Sequence, residues 1–181
     1  MNKDSVASRY ALALFELAKE NNQVASYKDE LNDFASYLTI DLKTFLTHYS
    51  VSLKDKKALM AQIFKDNLSS DVYNFLCLLL DKQRFNSIEE IIKEYNSAAN
   101  EYLNIEEGII YTASEISEQT LIKIENKVSQ LLGKKTILKI KEDKTLIGGF
   151  KIVVCDTVID NSLKNKLDSL RDELLGKEVN G

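Results

Sequence analysis

The sequence has no proline, no tryptophan, two cysteines and one histidine, and its six glycines are confined to the second half of the chain. They stand at Gly108, Gly133, Gly148, Gly149, Gly176 and Gly181, so everything before Gly108 lacks both glycine and proline. Helices tolerate that absence. A sheet with tight hairpins does not, because its turns need residues that accept positive φ. The front of the chain is therefore predicted to be helical.

A basic excess is also missing. The formal net charge is −4, divided into −3 before residue 105 and −1 after it. Neither part can neutralise a phosphate backbone, which disfavours nucleic-acid binding, and Lys54, Lys56 and Lys57 read as a solvated helix face. Hydrophobic residues make up 44% of the chain, enough for a packed core and too many for general disorder. No apolar run approaches the ~20 residues of a membrane-spanning helix. A run such as Phe75 to Leu80 covers only about one and a half turns. The opening Met1-Asn2-Lys3-Asp4 passes almost at once into an amphipathic pattern, without a secretory apolar region or an Arg-rich transit character. It reads as a cytoplasmic protein or a mature chain already trimmed.

The residues of common catalytic and metal sites are scarce. His48 lies in a polar-flanked stretch and reads as a surface loop or helix-end residue. Cys77 and Cys155 are far apart, each preceded by apolar residues, and read as small buried hydrophobes in a reducing compartment. Two cysteines without CxxC spacing and a single histidine do not make a usual zinc site. Glu89-Glu90, Glu106-Glu107 and Asp172-Glu173 read as solubility residues, and Asp143 and Asp156 as turn residues. Gly148-Gly149 raises the question of a phosphate-binding loop, but Phe150-Lys151-Ile152-Val153-Val154 follows as a strand where a helix N-terminus is needed. A backbone bend or close packing fits the pair better. No catalytic, cofactor-binding or metal residue is assigned.

What is present is helical periodicity, then a change of pattern. Asp4 or Ser5 can cap a helix to Asn21 with Val6, Tyr10, Ala13, Leu14 and Leu17 in register, while Ala11, Leu12, Phe15 and Ala18 widen its apolar surface. Val24 to Leu38 follows, with a shorter piece at Leu42 to Leu46. Ser52 with Asp55 opens a helix carrying Leu53, Leu59, Met60, Ile63 and Phe64. Ser69 or Ser70 starts Asp71 to Lys82, whose apolar circumference marks it as central. Ser87-Ile88-Glu89-Glu90 reads as a capping box for a helix through Tyr102. After Leu103 a strand is predicted at Gly108 to Ala113, then a helix from Ser117 ended by Gly133. Further strands are predicted at Thr136 to Lys141 and Phe150 to Cys155, with turns at Asp143-Lys144 and Asp156-Thr157. Asp160 or Ser162 then starts a helix with Leu163, Leu167, Leu170 and Leu174 in register, closed by Gly176. The fold class is mostly α with a smaller α/β part of about 75 residues, near the lower limit for a self-sufficient core.

Three segments in this order resemble the delta subunit family of F-type ATP synthases, the oligomycin-sensitivity-conferring proteins. They are Arg9-Tyr10-Ala11-Leu12-Ala13-Leu14-Phe15, the stretch from Asn74-Phe75-Leu76 to Arg84, and Leu146-Ile147-Gly148-Gly149-Phe150-Lys151-Ile152 followed by Val158-Ile159-Asp160-Asn161-Ser162 and Leu163 to Leu174. The sequence departs from the family at Glu142, usually apolar, near Lys144, where a proline is usual, and at Cys155 and Asn161, both usually glycine. Asn at 161 is a mild change, since asparagine tolerates the left-handed conformation.

The resemblance implies a non-catalytic stator, a peripheral membrane protein on the cytoplasmic face of a bacterial plasma membrane. Residues 1–104 would form a six-helix bundle that binds the N-terminal segment of an alpha subunit on the catalytic head, and residues 105–181 a small α/β domain that binds the peripheral-stalk b subunit. Candidate alpha-subunit contacts are Tyr10, Ala13, Leu14 and Leu17 with Phe75, Leu78, Leu79 and Lys82. Candidate b-subunit contacts are Leu163, Leu167, Leu170 and Leu174, and Gly148, Gly149, Asp160 and Ser162 form a structural motif. The alternatives are a generic helical adaptor and a small α/β enzyme using Gly148-Gly149 with Asp156 or Asp160.

Overall fold

The computed structural model describes residues 5–155 and 157–178, with the side chains at 170 and 172–178 outside the description. The chain divides into two compact units, Met1–Leu103 and Asn104–Gly181.

The first unit contains α1 (Val6–Glu20), α2 (Val24–Tyr37), α3 (Ile40–Thr47), α4 (Leu53–Phe64), α5 (Ser70–Asp81) and α6 (Ile88–Leu103). Hydroxyl caps start four of them: Ser5, Thr39, Ser52 and Ser69 each accept from the backbone N–H three residues on. The capping box expected at Ser87 does not form, because a 3-10 turn over Phe85–Ser87 runs directly into α6. With no glycine available, the unit's left-handed turns fall to Asn22 and Gln83, both at φ 54°. After α1 and α5 these turns close a Schellman motif, with Gln23 N–H donating to Ala18 O and Arg84 N–H to Leu79 O, both at 2.8 Å. One core runs through the unit. Phe34 meets Phe64 and Phe85 edge-on, with centroids 4.9 and 6.3 Å apart, and the buried Tyr95 hydroxyl donates to Val24 O at 3.2 Å.

The second unit is a βαβ unit followed by a hairpin. Its elements are β1 (Ile105–Thr112), α7 (Glu118–Leu132), β2 (Lys135–Glu142), β3 (Gly149–Val154), β4 (Thr157–Ser162) and α8 (Leu163–Glu178). The sheet order is β2-β1-β3-β4, with β1 and β2 parallel and the other pairs antiparallel. Ser117 caps α7 and Gly133 ends it at φ 68°. Ile110, Val128, Leu138, Ile152 and Val154 form the core.

Three expectations about the elements of this unit fail. Thr157–Ser162 is a fourth strand, with Ile159 opposite Ile152, so Asp160 lies in a strand and, of the two predicted helix starts, Ser162 is the one that holds. Asn161 consequently sits in a ladder opposite Phe150 rather than in a left-handed turn. Helix α8 also continues through Gly176 to Glu178 instead of closing at the glycine. The caps and turns proposed at Asp4 and Asp156 fall outside the described residues.

Candidate functional site

The core face of α1 is Ala7, Ser8, Ala11, Leu14, Phe15 and Ala18, a stripe whose small residues let the helix lie close along α6. Phe15 meets Tyr95 and Tyr102 of α6 edge-on at 6.2 and 5.8 Å. The remaining surface of α1 leaves Leu12, Ala13 and Leu17 exposed and Tyr10 half-buried. On α5, Val72, Phe75, Leu76, Leu79 and Leu80 turn inward and Leu78 is exposed, as is Lys82 just beyond the helix.

The alpha-subunit candidates therefore divide. Leu14 and Leu79 are fully buried members of the core, and Phe75 is 8% exposed, so these three present no open surface. The physical reason is the helical period: Leu14 shares its stripe with Ala7, Ala11 and Ala18, and that stripe faces α6. Tyr10, Ala13, Leu17, Leu78 and Lys82 remain accessible. Tyr10 is braced by Phe75, with ring centroids 6.4 Å apart at 64°. A cavity of about 330 Å³ opens beside this face, lined by Val6, Arg9, Tyr10, Ala13 and Arg84. Arg9 and Arg84 are surface-exposed additions that periodicity did not single out. The available signals are their scarcity, since Arg171 is the only other arginine in the chain, and their place at the ends of two of the family-like segments.

In the second unit the glycine motif converges on the start of α8. Gly148 O accepts from Leu163 N–H at 2.9 Å. Gly149 has φ 80°, and a Cβ on it would stand 2.4 Å from Asn161 O. The Asp160 carboxylate accepts from Ser162 N–H at 2.9 Å, and the Ser162 hydroxyl accepts from Asn165 N–H at 3.2 Å, so Ser162 is the residue that caps α8. Hydrogen bonding from Ser162, side chain first and backbone second, holds the Asp160 carboxyl below its ordinary range. The motif thus aims α8, on which Leu163 and Leu167 are exposed one turn apart. The side chains of Leu170 and Leu174 lie outside the described residues. A separate apolar cavity of about 440 Å³ lies between α7 and the β3–β4 hairpin, with Ile124, Lys127, Phe150 and Asn161 in its wall.

The residues offered to the enzyme alternative are engaged elsewhere or dispersed. Gly149 opens β3, not a helix, and Asp160 serves the backbone at the α8 cap. The cavity beside the α3–α4 connection, about 460 Å³, has Asp81 in its wall, and that carboxylate is paired with Lys57 at 2.7 Å. His48 is exposed and stacks on Tyr49, its Nδ1 accepting from Ser50 N–H at 3.2 Å. Cys155 is not the buried hydrophobe expected: it is exposed at φ 49°, in the turn between β3 and β4, and Cys77 is half-buried. The Cys155 thiol donates to Glu106 at 2.8 Å. That hydrogen bond first, and the Lys134 ammonium second, hold the Glu106 carboxyl below the usual range. Among the described residues no cluster of His, Cys, Asp and Glu could hold a metal ion, and no helix is long and apolar enough to cross a membrane.

The family model described as ATP synthase delta (OSCP) subunit matches residues 6–174. The chain belongs to the ATP synthase delta (OSCP) family. It is similar to the ATP synthase subunit delta of Alkaliphilus metalliredigens, 37% identical over 172 residues that cover 94% of this chain and 96% of that protein. The subunit delta of Desulforudis audaxviator is 34% identical over 181 residues, with 99% and 100% covered. A chain in the structure of the Toxoplasma gondii mitochondrial ATP synthase hexamer matches with a TM-score of 0.58 at 20% identity, covering 95% of this chain and 98% of that one, a likeness that shows the fold. Membership in the delta family makes the chain a non-catalytic subunit of a membrane-associated ATP synthase complex.

Proposed function

We propose that this chain is the stator adaptor of an F-type ATP synthase on the cytoplasmic face of a bacterial plasma membrane. Helices α1 to α6 act as a six-helix bundle on the catalytic head. The amphipathic N-terminal segment of an alpha subunit lies in the recess beside α1 and the end of α5, the helix-in-groove mode. Val6, Tyr10 and Ala13 supply its apolar lining, exposed Leu17 and Leu78 add apolar contact outside it, and the buried Leu14, Phe75 and Leu79 keep these helices rigid. Ala13 is small enough to let the incoming backbone approach closely.

The second unit takes the C-terminal part of the b subunit, using Leu163 and Leu167 of α8 and the adjoining strands. Two docking modules on one chain tie the head to the stalk and stop the head from turning with the rotor, so torque goes into ATP synthesis.

The observation that carries this reading is the open recess beside the solvent side of α1, with Tyr10 and Ala13 in its wall, in a chain of the delta family. Calorimetric titration of the chain with a synthetic alpha-subunit N-terminal peptide tests it. Saturable binding with a negative heat-capacity change is expected, because apolar surface is buried. Absence of binding to both the peptide and the intact head contradicts it.

A further inference from the structure

The chain carries 24 basic residues, and only Arg9, Arg84 and Arg171 are arginine. Two of those three line a single cavity, together with Val6, Tyr10 and Ala13. They reach it from separate elements. Arg9 lies in the second turn of α1, and Arg84 follows the left-handed Gln83 that reverses the chain after α5. The hydrogen bond from Arg84 N–H to Leu79 O fixes that reversal at 2.8 Å.

Several lysines of the chain have acidic neighbours: Lys43 with Glu89, Lys57 with Asp81, Lys134 with Glu106 and Lys139 with Glu107. Among the described residues neither the Arg9 nor the Arg84 guanidinium has an ion pair or a side-chain hydrogen bond, and both residues are exposed. A guanidinium differs from an ammonium in its planar fork, which takes a carboxylate through two parallel hydrogen bonds. Two such forks line one recess with Val6, Tyr10 and Ala13, a combination suited to an acidic side chain on an otherwise apolar helix face.

We propose that Arg9 and Arg84 form a carboxylate clamp that fixes the register of the docked alpha-subunit segment. This rests on the groove reading above and adds the chemistry that reads the segment. Apolar side chains of the segment cover Tyr10 and Ala13, and one Asp or Glu beside them is taken by the guanidiniums. Apolar contacts alone would allow the segment to slide by a turn, and the clamp excludes that slip because a slipped segment leaves the forks without an acceptor.

The test is a double-mutant cycle by calorimetry on the full chain. The probes are the synthetic alpha-subunit N-terminal peptide and a series in which each Asp or Glu is replaced in turn by Asn or Gln. The protein variants are Arg9→Gln, Arg84→Gln and Arg84→Lys. Each Gln variant is expected to weaken binding of the parent peptide about tenfold or more, with Arg84→Lys intermediate because it keeps charge and loses the fork. A single peptide position should give the same loss, and combining that peptide with an Arg→Gln variant should add nothing further. If the wild-type chain binds the peptide and the Gln variants bind it within about twofold, the clamp is wrong and the groove reading survives. A series in which no acidic position matters to the wild-type chain overturns the clamp without using any variant. No binding by the wild-type chain overturns both.

Discussion

The ring of Tyr10 on α1 meets the ring of Phe75 on α5 edge to face, 6.4 Å between centroids. One partner is core and the other is half exposed, so substitutions should separate stability from binding. Phe75→Ala is expected to destabilise the first unit by about 3 kcal/mol, the usual cost of emptying a buried aromatic site. Tyr10→Ala should cost about 1 kcal/mol, mostly the ring pair, yet weaken alpha-subunit peptide binding more than its stability loss explains. Urea unfolding followed by peptide titration measures both, and equal effects from the two variants would place Tyr10 in the core.

Ala13 sits exposed on the same side of α1. A large side chain there meets solvent in the free chain and the partner backbone in the complex. Ala13→Trp is therefore expected to leave circular dichroism and unfolding midpoint unchanged while reducing peptide affinity about tenfold or more. Unaltered affinity in the titration removes Ala13 from the interface.

Gly149 and Gly133 both hold positive φ, at 80° and 68°, but their surroundings differ. A Cβ at Gly133 meets nothing within 4 Å, so Gly133→Ala costs only the left-handed conformation, about 1 kcal/mol. A Cβ at Gly149 stands 2.4 Å from Asn161 O and 2.9 Å from Ser162 Cα, so Gly149→Ala adds a clash with backbone. It should disrupt the β3–β4 pairing and the start of α8. Hydrogen exchange of the β4 amides should rise in Gly149→Ala and stay near wild type in Gly133→Ala.

Glu106 accepts from the Cys155 thiol and pairs with Lys134, and its carboxyl is lowered in consequence. A carboxyl lowered on folding stabilises the fold while ionised. That contribution is complete above its unfolded range, near 4.5, and disappears as pH falls through the lower folded value. Glu106→Gln should therefore be less stable than wild type at pH 7, by about 0.5 kcal/mol for so accessible a group, and equally stable in strong acid. Urea midpoints measured across the acid range check this, and a gap that persists at the acid end contradicts it.

The helical front was legible because its sequence has no residues that break helices and has Ser or Thr at four helix starts. Periodicity also found the residues that share a face. On α1, whose circumference is largely apolar, it did not say which stripe turns inward, so Leu14 was grouped with Tyr10 and Ala13 instead of with Ala7, Ala11 and Ala18. Strand β4 was hidden by its own composition. Asp160 and Asn161 are poor strand formers and good cap residues, and the hairpin before them turns on Cys155 where a glycine would have announced it. The break after α5 was legible, but Gln83 gave no sign of its left-handed reversal, nor of the approach of Arg84 to α1 that follows from it.

The most direct test of bridging uses the full chain with an affinity tag, the purified catalytic head, and the soluble part of the b subunit. Bridging predicts that the tagged chain recovers the head alone, the b subunit alone, and both together in one complex, while head and b subunit do not associate when the chain is omitted. Recovery of only one partner, or mutual exclusion of the two, contradicts it.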